Sequence, residues 1–263
     1  MRKCLFACVL VFLYAILQAQ ELQDSLGKYS YLVQIDKRCK KTQATGFFAR
    51  YQQRLFFISA AHCLTGWDPV EFRPIENFPD TIFIRLSNDT SNVSFLPLPV
   101  AGIKKKAKPF HQLEAPDVVV VEIKNGKKYK VNSVEAFFTE EVPCEFASKV
   151  LVSGYPYENE SDDYLKVRQQ PLTMGTSLDN TYCIYPYRPD VKLYDRLHYF
   201  TSFKEADISA SGLSGAPAYL LTKNETIVFG GIFIGGVNTR SGRGMIVRPE
   251  YVINKIMARI MNE

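Results

Sequence analysis

The sequence predicts an all-β protein in two similar halves, closed by one C-terminal α-helix. Three observations predict it. Short runs of β-branched and aromatic residues, bounded by turn residues, recur along most of the chain. A polar interruption, Thr139-Glu140-Glu141-Val142-Pro143, separates two halves of ordinary domain size. Only the last stretch carries apolar residues at helical spacing. With 263 residues, 46% hydrophobic and 22% charged, the chain is long enough for one large β domain or two small ones with cores of their own.

Residues 1–19 read as a secretory signal peptide. Arg2 and Lys3 precede an apolar run from Cys4 to Leu17, and Ala19 supplies the small residue before the cut. The run is too short, and too closely followed by the polar Gln20-Glu21-Leu22-Gln23-Asp24, to span a bilayer, so the expected location is secreted or periplasmic, with no stable membrane association after cleavage. An uncleaved anchor is the alternative. The first half then occupies residues 20–138 and the second 139–263.

Tyr29 to Ile35 is expected as the first strand. Gly46-Phe47-Phe48-Ala49 and Leu55-Phe56-Phe57-Ile58 flank the polar turn Arg50 to Arg54 and read as a hairpin. Further strands are expected at Thr81 to Leu86, Val118 to Ile123, Val131 to Phe138, Lys149 to Ser153, Tyr164 to Gln169, Tyr182 to Tyr185, Ala218 to Leu221, Ile227 to Ile234 and Gly244 to Val247. That spacing is the pattern of a sandwich or barrel. After Pro249, the residues Val252, Ile253, Ile256, Met257 and Ile260 predict an amphipathic helix.

The formal charge is +5, and it falls to +3 without Arg2 and Lys3. The surplus gathers in Lys104-Lys105-Lys106, Lys108, Lys124, Lys127, Lys128 and Lys130, which read as solvated loops. No aromatic residues interleave them as in nucleic-acid sites, so no nucleic-acid partner is expected. Removing the signal leaves Cys39, Cys63, Cys144 and Cys183, an even number that suggests disulfides in a secreted chain. No Cys-x-x-Cys pair or His/Cys cluster has ligand spacing, so neither a metal nor another cofactor is expected.

The chemistry-bearing stretch is Ser211-Gly212-Leu213-Ser214-Gly215-Ala216-Pro217. Two glycines bracket Ser214 and leave its hydroxyl and the nearby amides free to face a carbonyl. A serine needs a base, and the chain has three histidines: His62, His111 and His198. His62 follows an apolar strand through two small residues. Asp117 stands before Val118-Val119-Val120-Val121, where a charge at the mouth of a buried strand needs a partner.

Ile58-Ser59-Ala60-Ala61-His62-Cys63, Asp117-Val118-Val119-Val120 and Gly212-Leu213-Ser214-Gly215-Ala216-Pro217, in that order, resemble the three signature segments of chymotrypsin-like (trypsin-fold) serine proteases. The resemblance covers nearly all of the chain after the signal. It implies two antiparallel β-barrels, a protein or peptide substrate, Ser214 as nucleophile, His62 as general base, Asp117 as the group orienting the imidazole, and an oxyanion hole from the Gly212 and Ser214 amides. It also implies a Cys39–Cys63 bridge, which leaves Cys144–Cys183 as the second pair.

Leu213 stands where many animal members carry an aspartate that pairs with a newly cut N-terminus. No basic residue followed by Ile-Val-Gly-Gly appears after the signal either, so the chain is more similar to the bacterial secreted branch, with glutamyl endopeptidases and periplasmic proteases. Alignment to the family places Ile208, Ser209, Gly235 and Gly236 around the specificity pocket. No acid among them means no preference for basic side chains, and Phe233 replaces the histidine of the glutamyl enzymes. A non-catalytic secreted binding module on the same scaffold is the second functional class.

Overall fold

In the computed structural model the described residues are 21–22, 24–37, 43–67, 73–87, 93–106, 116–139, 147–156, 171–178, 184–185, 188–192, 198–202, 212–238 and 243–261. Strands β1 (Ser30–Gln34), β2 (Gln43–Tyr51), β3 (Arg54–Ala60), β4 (Thr81–Arg85), β5 (Phe95–Pro99) and β6 (Val118–Ile123) form one antiparallel sheet in the order β5-β4-β1-β2-β3-β6. The hairpin β2–β3 turns through Gln52 and Gln53, whose φ values of 47° and 64° give the turn a twist matching that of the strands.

Strands β7 (Ala147–Gly154), β8 (Leu172–Leu178), β11 (His198–Ser202), β12 (Pro217–Thr222), β13 (Ile227–Asn238) and β14 (Arg243–Val247) form a second antiparallel sheet, which closes into a barrel in the order β11-β14-β13-β12-β7-β8, whereas the first stays open. Between β8 and β11 in the chain, β9 (Ile184–Tyr185) and β10 (Arg188–Lys192) pair as a separate ribbon. Helices among the described residues include α1 (Ala61–Thr65), α2 (Ala101–Lys106) and α3 (Pro249–Met261), and residues 21–22 and 24–27 are helical as well. Pro249 opens α3, where a missing N–H costs nothing, and Val252 and Ile256 bury its apolar stripe.

The apolar run Leu55-Phe56-Phe57-Ile58 is buried because the two faces of β3 meet different cores. Leu55 and Phe57 join Phe48, Ile82, Ile84, Leu96 and Leu98 inside the first lobe. Phe56 and Ile58 join Phe47, Val118 and Val120 in a core that also takes Tyr219, Phe229 and Ile232 from the second lobe and Val252 and Ile256 from α3. The lobes thus share one apolar interior, and Ser30 Oγ donates across it to Ser153 O at 2.8 Å.

Several expectations need correction. Val131 to Phe138 is not a strand: Val134–Phe137 is a 3-10 turn, and only Ser133 makes an isolated bridge, to Phe48. Glu135 is the reason, since Ser133 Oγ donates to its Oε1 at 2.7 Å and Arg50 N–H to its Oε2 at 3.0 Å, side-chain bonds that compete with a strand ladder. Lys104 to Lys106 are helical rather than loop, and Lys104 Nζ donates to Phe78 O at 2.6 Å and to Asp80 Oδ1 at 2.8 Å. Strands β5, β8, β10 and β11 were not expected: Pro97 and Pro99 hide β5, which is tolerated as an edge strand, Thr, Gly and Ser dilute the apolar pattern of β8, and charged or polar residues interrupt β10 and β11. The segment Tyr164 to Gln169, residues 182–183 and the signal region lie outside the described residues.

Candidate active site

The site is assembled by register. Antiparallel pairing of β3 with β6 aligns Ala60 with Val118, and Ala61 N–H continues the ladder with a 3.3 Å bond to Asp117 O. The chain then enters α1, which carries His62 back over Asp117. Gly66 ends this single turn at φ 67° with its N–H on His62 O at 3.2 Å. A side chain at Gly66 would also overlap the Phe78 ring, with a Cβ only 2.1 Å from Cγ.

Asp117, 6% exposed, grips His62 at two points. Its Oδ1 accepts the His62 backbone N–H at 2.9 Å, and its Oδ2 lies 2.5 Å from the ring Nδ1. The carboxylate can only accept, so Nδ1 carries the hydrogen and Nε2 is left as the basic nitrogen. Burial by itself lowers the pKa of His62. The Cys63 sulfur and the Asp117 carboxylate raise it, and the net direction is well above the ordinary histidine range.

Ser214 lies on a turn whose flanking glycines have φ values of 86° (Gly212) and 90° (Gly215), accessible at little cost only without a side chain. At Gly215 there is no room for one either, because a Cβ would sit 1.9 Å from Thr45 O and 2.3 Å from Ser59 Oγ. The turn closes on itself through Ala216 N–H to Leu213 O at 2.8 Å, and Gly215 N–H donates to Phe233 O at 2.7 Å. Leu213 is fully buried among Val150, Val152, Met174, Ala216 and Phe233.

Thr45 on β2 is the residue that sequence reasoning missed. Its N–H donates to Ser214 O at 2.9 Å and its Oγ1 to Gly212 O at 2.9 Å, while the same Oγ1 accepts Tyr155 N–H at 3.0 Å. Ser59 Oγ in turn holds Thr45 O at 2.8 Å. The first lobe therefore clamps the serine turn of the second at both ends. No local pattern around Thr45 announces this, since its partners lie far away in sequence.

The histidine and aspartate thus meet directly, and the serine turn adjoins them: Cys63 Sγ lies 3.8 Å from Ser214 O. Cys63 Sγ is turned toward that carbonyl, and Cys39, its expected bridge partner, lies outside the described residues. Cys39, Cys144 and Cys183 lie outside the described residues, as do His111, Ile208 and Ser209. Of the expected pocket residues, Gly235 has φ 127°, and a Cβ there would stand 3.5 Å from Ser214 Oγ; Gly236 pairs with Gly244 in the barrel. His198 begins β11, in register with Val247. Among the described residues no group of three His, Cys, Asp or Glu could hold a metal ion, and no helix is long and apolar enough to cross a membrane.

Two curled antiparallel β lobes and a terminal helix, with the histidine and aspartate on one lobe and the serine turn on the other, make this a trypsin fold. Solved structures share it. The active form of the Rv3671c protease from M. tuberculosis matches with a TM-score of 0.50 and 15% identity over 89% of this chain and 81% of that one. HL collagenase matches at 0.55 and 14% over 90% and 95%. A scabies mite inactivated protease paralogue, S-I1, matches at 0.53 and 15% over 92% and 97%. No family model and no curated protein matches the sequence.

Proposed function

We propose that the chain is a secreted serine endopeptidase that cleaves peptide bonds through an acyl-enzyme on Ser214. The observation that carries this reading is the two-point hold of Asp117 on His62, which fixes the tautomer a general base needs. Ser214 Oγ attacks the substrate carbonyl as His62 Nε2 takes its proton. The C–N bond then breaks, and the same proton passes to the leaving amine. Water repeats the sequence on the ester and frees Ser214. The Gly212 and Ser214 amides serve as oxyanion donors. For Ser214 this is supported by the bond of Leu213 O inward to Ala216 N–H, because the trans peptide plane turns the Ser214 N–H the opposite way, out of the turn.

The substrate side chain before the cleaved bond is apolar or small, as the lack of an acid at Ile208 and Ser209 suggests, and the protein belongs nearer to the bacterial secreted branch. One neighbour is described as an inactivated paralogue, which keeps the inert scaffold as the second reading. A fluorophosphonate probe decides between them: it labels Ser214 in the wild type and fails on Ser214→Ala and His62→Ala. A folded wild type left unlabelled refutes the protease reading. In a peptide-library digest, cuts concentrated after Lys, Arg or Glu refute the assigned preference.

A further inference from the structure

We propose that Lys255, on the terminal helix α3, is a positioning residue for the Asp117–His62 pair. The proposal deepens the protease reading above and rests on it for its effect on turnover. Lys255 Nζ donates to Val118 O at 2.6 Å. Because Ala61 N–H takes Asp117 O, the next carbonyl along β6, that of Val118, turns away from β3. Strand β6 is an edge of its sheet, so this carbonyl would otherwise face outward without a strand partner. The lysine supplies one from the helix and ties the residue after Asp117 in place.

Lys255 also brings charge. It is half-buried, and burial holds its pKa below the ordinary lysine value; the Asp117 carboxylate opposes that shift and Arg259, one turn on, adds to it. The other charged groups around it are few. Strand β13, packed against α3, has no titratable side chain. On β6, Glu122 is engaged by Arg54. Helix α3 adds Glu250 and Tyr251, and α1 adds His62 and Cys63. A cation that favours the Asp117 carboxylate also disfavours an imidazolium held against it, so it tempers the upward pull that Asp117 exerts on His62.

The test is an NMR titration of the His62 ring in the Ser214→Ala protein, assigned against His62→Gln, with Lys255→Met, Lys255→Gln and Lys255→Arg added in turn. Lys255→Met is expected to move the His62 titration up by about one unit. Lys255→Gln keeps a donor for Val118 O but loses the charge and moves it likewise, whereas Lys255→Arg leaves it near the wild-type value. In protein with Ser214 intact, the acid limb of kcat/KM follows the same shifts, with KM little changed. If Lys255→Met does not fold, Lys255→Gln decides. A His62 titration unmoved in folded Lys255→Met and Lys255→Gln proteins overturns the proposal. A wild type without turnover refutes the protease reading instead, since the titration needs no activity.

Discussion

At the scale of single residues, His62 and Asp117 are where local sequence and tertiary structure agree. Both stand beside buried apolar strands, His62 just after β3 and Asp117 just before β6, and a polar group in such a place needs a partner. They find one another at 2.5 Å. Lys255 was not legible, because it reads as one more charge on an amphipathic helix and its role arises only when α3 docks on the edge of β6. The raised pKa of His62 has a stability consequence whose sign is definite. A histidine held more basic in the fold than in the unfolded chain contributes stability in full below the unfolded value, about 6.5, and loses it as pH rises through the folded value. Urea unfolding is therefore expected to show stability falling above pH 6.5, with a smaller fall in Asp117→Asn. Cys63 also raises this pKa, so the fall is reduced rather than abolished in Asp117→Asn; an equal pH dependence in the two proteins contradicts a contribution from Asp117.

At the scale of elements, strands with continuous β-branched or aromatic content were readable, as β3, β6 and β12 show, because at most two polar residues interrupt the apolar run in each. The hairpin β2–β3 was readable too, although its turn is tighter than the polar stretch suggests. What could not be read was how β2 bears on the serine turn. Thr45 sits opposite Leu32 on β1 and has no apolar, helical or turn signature, yet its hydroxyl bonds both Gly212 O and Tyr155 N–H. Replacing it with the isosteric valine leaves a buried carbonyl without that donor and a buried amide without that acceptor, at a cost of about 2 kcal/mol or more. Thr45→Val is expected to lower the urea midpoint and to reduce kcat more than KM, because the turn that presents Ser214 loosens. Thr45→Ser, which keeps the hydroxyl, should retain most of both. If Thr45→Val matched the wild type in stability and kcat, the clamp would have no functional weight.

At the scale of the whole molecule, the two lobes meet through an apolar core and a short set of cross-lobe hydrogen bonds, and the serine turn lies at that junction. In the family that the sequence resembles, members that carry an aspartate at this position order the turn through a buried ion pair to a new N-terminal ammonium. Here the residue is Leu213, fully buried against Val150, Val152 and Phe233. An aliphatic side chain cannot accept an ammonium, so the order must come from elsewhere, and two sources are visible. Burying the leucine contributes roughly 2 kcal/mol. The Thr45 clamp holds the carbonyls of Gly212 and Ser214 at 2.9 Å each, and neither contact involves an N-terminus. Activity is therefore expected from a chain beginning at Gln20 without any further cut. Mass spectrometry should confirm that this chain is intact while turnover is followed from the moment of mixing. Linear product formation at constant mass supports the expectation. A lag that ends in step with the loss of more N-terminal residues refutes it, and would mean that the turn is ordered by a contact which leucine packing and the Thr45 clamp do not supply.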